Sequence, residues 1–162
     1  MKGGYAIIIK IKTDIDLSIG RHEFSLAEGT YIYSGSALGP GGIEARIGRH
    51  FRTLRKTMVN DDATIGKAHW HIDWLLQLSG SYAIVYAESG TRTECLLVDA
   101  LKKRGLEAVK GFGSTDCRSA CGGHLLYAGD CGVHAASIIA KKAFKAVGLK
   151  PVAWHSTASE IK

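Results

Sequence analysis

"YIYSGSALGPGGIEARIGRH", residues 31–50, sets a tyrosine-rich strand, a glycine-rich turn and an arginine-studded helix end to end. Alternation along the strand sends Tyr31 and Tyr33 to one side and Ile32 and Ser34 to the other. "LGPGG" ends it, because Gly39, Gly41 and Gly42 permit backbone conformations that side-chained residues resist. From Ile43 to about Met58, the spacing of Ile43, Ile47, Phe51 and Leu54 predicts a helix with one buried stripe. Arg46, Arg49, Arg52 and Lys56 fall off that stripe, and His50 follows Arg46 by one turn on the same side.

Working outward, "YAIIIKI" at residues 5–11 reads as a largely buried strand, and "IDLSIGRHEFSL" as a hairpin around Gly20 and Arg21. Further on, "HWHIDWLLQL" reads as a short apolar helix and "SYAIVYAE" as another main strand. Thr91 and Glu94 have capping-box spacing before a helix whose apolar side is Leu96, Leu97 and Leu101. A glycine- and cysteine-rich segment, "GFGSTDCRSACGGHLLYAGDCG", precedes an amphipathic basic helix from about Val133 to Val147. This order predicts an α/β fold: a small sheet with helices packed on it.

The chain has 162 residues, 46% of them hydrophobic, which fits one soluble domain over 1–162. Lys and Arg outnumber Asp and Glu by 21 to 15, a formal charge of +6 that favours polyanionic partners if the charges cluster. Lys10, Lys12 and Asp14 interrupt the first apolar run, so neither a signal peptide nor a membrane span is expected, and the expected location is cytoplasmic. Four cysteines in such a chain read as free thiols or metal ligands rather than a disulfide framework.

"GGY" at residues 3–5, "YSG" at 33–35, Arg46 and His50 on the next helix, and Glu94 opening a later one resemble the GIY-YIG nuclease superfamily. The resemblance covers roughly residues 3–104, with about 105–162 as a C-terminal extension. The long motif at 31–50, with "HWHIDWLL" and "FGSTDC…HLLY", looks most like an uncharacterised branch of that superfamily, sometimes found fused to DNA-repair glycosylases. The resemblance implies a mainly antiparallel central sheet flanked by helices, with an extra hairpin and a C-terminal helix. It also implies a divalent-metal-dependent endonuclease acting on nucleic acid, most plausibly DNA, in repair.

Under that resemblance, Tyr5 assists deprotonation of the attacking water and Tyr33 positions water or phosphate. Arg46 holds the scissile phosphate, and His50 orients a tyrosine or accepts the proton. Glu94 holds a single Mg2+ or Mn2+ beside the leaving oxygen. Arg49, Arg52, Arg55 and Lys56 then meet backbone phosphates, and Lys141, Lys142 and Lys145 offer a second contact face. Tyr5, Tyr33, Arg46 and Glu94 are expected to converge on one cleft.

Other residues admit two readings. His69 and His71 are a pair flanking buried Trp70 and Trp74 on a helix, or zinc ligands if the segment is a strand. Cys117, Cys121, His124 and Cys131 form a possible four-ligand zinc site or are buried thiols in a tight glycine loop. Two further functional readings stand beside the nuclease: a non-catalytic nucleic-acid-binding module, and a zinc-stabilised protein-interaction domain.

Overall fold

Strand β1 (Gly3–Ile11) is buried along its length except at Lys10, so it belongs at the centre of a sheet covered on both faces. Ile7, Ile8, Ile9 and Ile11 are at most 2% exposed, and each such burial contributes about 1.5–3 kcal/mol, which makes this strand the anchor of the fold. It pairs antiparallel with β4 (Gly29–Ala37) on one side and β5 (Tyr82–Glu88) on the other. In the first register Tyr5 lies opposite Gly35, Ile7 opposite Tyr33 and Ile9 opposite Tyr31. The computed structural model describes residues 1–19, 21–59, 72, 75, 82–113 and 121–155.

The other elements fully bounded among the described residues are β2 (Ile15–Ile19), β3 (His22–Leu26), α1 (Gly42–Val59), α2 (Glu94–Lys102), β6 (Glu107–Ala108), β7 (Leu125–Tyr127), α3 (Val133–Ala146) and β8 (Val152–His155). The main sheet runs β6-β7-β4-β1-β5-β8, and each neighbouring pair in it is antiparallel. Strands β2 and β3 form the expected hairpin as a separate two-stranded sheet. The result is an α/β fold with a central antiparallel sheet flanked by helices, as the sequence predicts.

Side-chain alternation divides the core into two. Tyr5, Ile7, Ile9, Tyr31 and Tyr33 pack with Ile43 of α1, Phe24 of the hairpin, and the helical residues Ile72 and Leu75. Ala6, Ile8, Ile32 and Val85 pack on the other face with Leu97 and Leu101 of α2 and Ala140 and Phe144 of α3. Sheet and helices thus form three layers. Among the described residues, no helix is long and apolar enough to cross a membrane.

Two local expectations change. Glu94 and Thr91 do not form a capping box: α2 begins at Glu94 with Thr93 as its N-cap, and the Glu94 carboxylate bonds across to Ser36 of β4. Tertiary partners outcompete the local cap. Strand β8 was not expected, because a four-residue edge strand carries too little alternation to be seen without its partner β5. The turn into α1 does use the glycines anticipated for it, with φ of +82° at Gly41 and +62° at Gly42.

Candidate metal centre and adjoining cleft

At one end of the β1–β4 pair, the sheet, α1, the start of α2 and the loop before β7 enclose a cleft of about 320 Å3. Tyr5 enters it because the opposite residue in β4 is a glycine. A Cβ at Gly35 would fall on the Tyr5 ring, so only glycine leaves the phenol room to lie across β4. The Tyr5 hydroxyl lies 3.3 Å from His50 Nε2, and both residues are 1% exposed. His50 therefore belongs to the buried side of α1 and reaches the cleft through Tyr5, while Arg46, one turn earlier, lines the cleft itself.

Tyr33, Ser36, Arg92 and Glu94 complete the polar wall. The Ser36 hydroxyl donates to the Glu94 carboxylate, and Arg92 Nη1 is 3.6 Å from Glu94 Oε1. Tyr31, two residues from Tyr33, does not line the cleft. Its hydroxyl donates to the Ala27 carbonyl at 2.6 Å and its ring packs against Tyr127. Burial, with the neighbouring Tyr127 phenol, pushes its pKa up to about 12. One phenol of the opening stretch is thus a cleft residue and the other a packing residue.

The structure brings Tyr5, Tyr33, Arg46 and Glu94 to this one cleft, with His50 behind Tyr5. Arg49 and Arg52 are exposed on α1. Arg55 and Lys56 belong to the same helix, but their side chains lie outside the described residues, as do His69, His71 and Cys117.

The expected magnesium or manganese centre is overturned by what surrounds Glu94 and by where metal-binding donors gather. A hard cation wants several oxygen ligands, yet the Glu94 carboxylate accepts from Ser36 and lies beside the Arg92 guanidinium. Among the described residues, the group with metal-ligand geometry is Cys95, Cys121 and His124, whose ligand atoms all lie within 4.8 Å of one another. Cys95 Sγ is 3.3 Å from Cys121 Sγ and 3.7 Å from His124 Nε2. Two thiolates and an imidazole are a donor set for zinc, not for magnesium or manganese.

This cluster differs from the four-residue set read from the sequence. Cys131 is elsewhere, its thiol donating to the Ala128 carbonyl at 3.2 Å. Cys95 takes part instead, and the sequence reading missed it because 26 residues separate it from Cys121. Its one local signal was position: a cysteine directly after the helix-opening Glu94.

Hydrogen bonds to backbone groups hold the cluster residues in place. The Ser34 hydroxyl donates to the Glu94 carbonyl at 2.9 Å, fixing the turn that carries Cys95. The Ser34 N–H donates to the His124 carbonyl and the His124 N–H to the Phe112 carbonyl, both at 2.8 Å. The Lys102 ammonium donates to the Cys121 carbonyl. His124 also lines the cleft, so the cysteine–histidine cluster and the cleft share a wall.

The family model that matches is DUF123, a domain of unknown function, over residues 4–147. The chain belongs to the DUF123 family. That match corrects the GIY-YIG assignment, and with it the nuclease and DNA-repair reading that the assignment carried. The short motifs behind the resemblance have local packing explanations in this DUF123 chain. A Cβ at Gly3 would fall on the Ala87 backbone and one at Gly4 on the Thr93 hydroxyl, while Gly35 makes room for Tyr5. No curated protein and no solved structure matches the chain.

Proposed function

We propose that this DUF123 domain is a zinc-stabilised module, with Cys95, Cys121 and His124 as protein ligands. One observation carries the reading: two sulphurs and an imidazole nitrogen from three separate positions meet within 4.8 Å. With Zn–S near 2.3 Å and Zn–N near 2.0–2.1 Å, a tetrahedral ion separates two sulphurs by about 3.8 Å and sulphur from nitrogen by about 3.6 Å. The distances of 3.3 and 3.7 Å require only small adjustments to reach those values. A fourth donor, from protein or water, completes the tetrahedron. The ion ties the first turn of α2 to the segment before β7.

The test is metal content and its effect on folding. Protein purified without added chelator should contain one zinc per chain, retained by wild type and lost from Cys95→Ser and Cys121→Ser. Wild-type protein lacking zinc, with a melting transition that ignores both zinc and chelator, refutes the reading.

A second reading concerns the cleft: that it binds the phosphodiester backbone of nucleic acid, without cleavage. What favours it is the pairing of Arg46 and Arg92 with the Tyr5 and Tyr33 phenols in one cleft, beside Arg49 and Arg52 exposed on α1. Guanidinium groups suit phosphate oxygens, which they meet as a planar fork of donors. Fluorescence anisotropy with labelled single-stranded and duplex DNA, across a salt series, tests it. Binding unaffected by Arg46→Ala and Arg92→Ala would refute it.

A further inference from the structure

Cys95 and Cys121 also have a chemistry that needs no metal. We propose that the two thiols are an oxidative modification site, at which a hydroperoxide converts them to an intrachain disulfide between the first turn of α2 and the segment before β7. The sulphurs are 3.3 Å apart and neither residue is fully buried, so a small peroxide can reach them. A disulfide requires about 2.05 Å between sulphurs, so the pair must close by little more than an ångström. Rotation of the two cysteine side chains supplies that movement, since the backbone of Cys121 to Gly123 is held by Lys102 and Gly111 and packed on Val109.

Cys95 is the second residue of α2, so its sulphur stands at the helix start, within 3.3 Å of the Cys121 sulphur and 3.7 Å of His124 Nε2. The Cys95 thiolate attacks one peroxide oxygen and the O–O bond breaks, giving Cys95 sulfenic acid and an alcohol, or water from hydrogen peroxide. The Cys121 thiolate then attacks the Cys95 sulphur, the S–S bond forms, and hydroxide leaves to take the second proton as water. Two thiols have lost two electrons and the peroxide has gained them.

Oxidation and metal binding compete, since a disulfide has no thiolate to donate. That competition rests on the zinc reading; the disulfide does not.

The experiment uses the full chain, both chelator-treated and zinc-loaded, exposed to stoichiometric hydrogen peroxide and then alkylated. Digestion after Lys and Arg and before Asp puts the four cysteines on separate peptides: 93–98, 116–118, 119–129 and 130–141. The expected product in the chelated sample is 93–98 joined to 119–129, lighter by two hydrogens and released by dithiothreitol. It is absent from Cys95→Ser, and in the zinc-loaded wild type its formation is suppressed until metal is released. A link through 116–118 instead, sulfinic acid at Cys95 with no link, or full alkylation of both thiols under oxidant that consumes a reference thiol overturns the proposal. If that variant fails to fold, the wild-type peptide map alone decides. Equal cross-linking in chelated and zinc-treated protein that binds no zinc refutes the zinc reading and leaves the disulfide standing.

Discussion

Cys95 Sγ lies 3.7 Å from His124 Nε2, although 29 residues of chain separate them. Ser34 makes that meeting reproducible: its hydroxyl holds the carbonyl of Glu94, directly before Cys95, and its backbone N–H holds the carbonyl of His124. One residue of β4 thus fixes both segments that carry ligands.

Ser34→Ala should therefore loosen the metal without removing a ligand. Losing a bond that orients a ligand typically costs 10–100-fold in metal affinity. Competition with a chromophoric chelator should show zinc affinity reduced by about tenfold, with the circular dichroism spectrum unchanged. An unchanged affinity would mean that the α2 turn is positioned by packing alone.

Removing the metal should lower the melting temperature rather than abolish folding, because two extensive apolar layers cover the sheet. At zinc a thousandfold above its Kd, linkage contributes about 4 kcal/mol. For a chain of this size that corresponds to a drop of roughly 8–16 °C on chelation. Differential scanning calorimetry with and without chelator reads it directly.

Gly35→Ala tests the packing that admits Tyr5 to the cleft. The added methyl falls on the Tyr5 ring and must displace it or the strand. Such overpacking costs about 1–3 kcal/mol. The chemical-shift change should centre on Tyr5 and His50, whose side chains bond. A melting temperature equal to wild type would show that the ring has another place to go.

Arg46→Ala should weaken DNA binding with little preference for sequence. If its guanidinium meets one phosphate, the slope of log affinity against log salt should fall by about 0.9 for duplex or 0.7 for single strands. Titration at several ionic strengths gives that slope, and an unchanged slope would place the phosphate elsewhere.

Tyr31 predicts a loss of stability in strong alkali. Its phenol ionises in the unfolded chain near the ordinary value of 10, but only at about 12 when folded. The unfolded state releases this proton first, so the contribution is complete below pH 10 and is lost as the pH rises from 10 to about 12. Urea midpoints across that range should fall more steeply for wild type than for Tyr31→Phe. Parallel curves would show that the phenol ionises alike in both states.

The sequence by itself determined the elements whose pattern is local. The isoleucine run of β1, the alternation of Tyr31 and Tyr33, and the stripe on α1 each record burial within a few neighbouring residues, so period and composition suffice to read them. Edge strand β8 was illegible because its extended form depends on pairing with β5. The resemblance drawn from "GGY" and "YSG" misdirected the family assignment, since glycines that make room for Ala87, Thr93 and Tyr5 produce the same letters for reasons of packing. Only the tertiary structure decided the cysteine–histidine cluster. Ligand geometry is a matter of a few ångströms between side chains, and nothing along the chain reveals that Cys95, rather than Cys131, closes on Cys121 and His124. Packing α2 against the sheet sets that distance, through contacts that no linear spacing encodes.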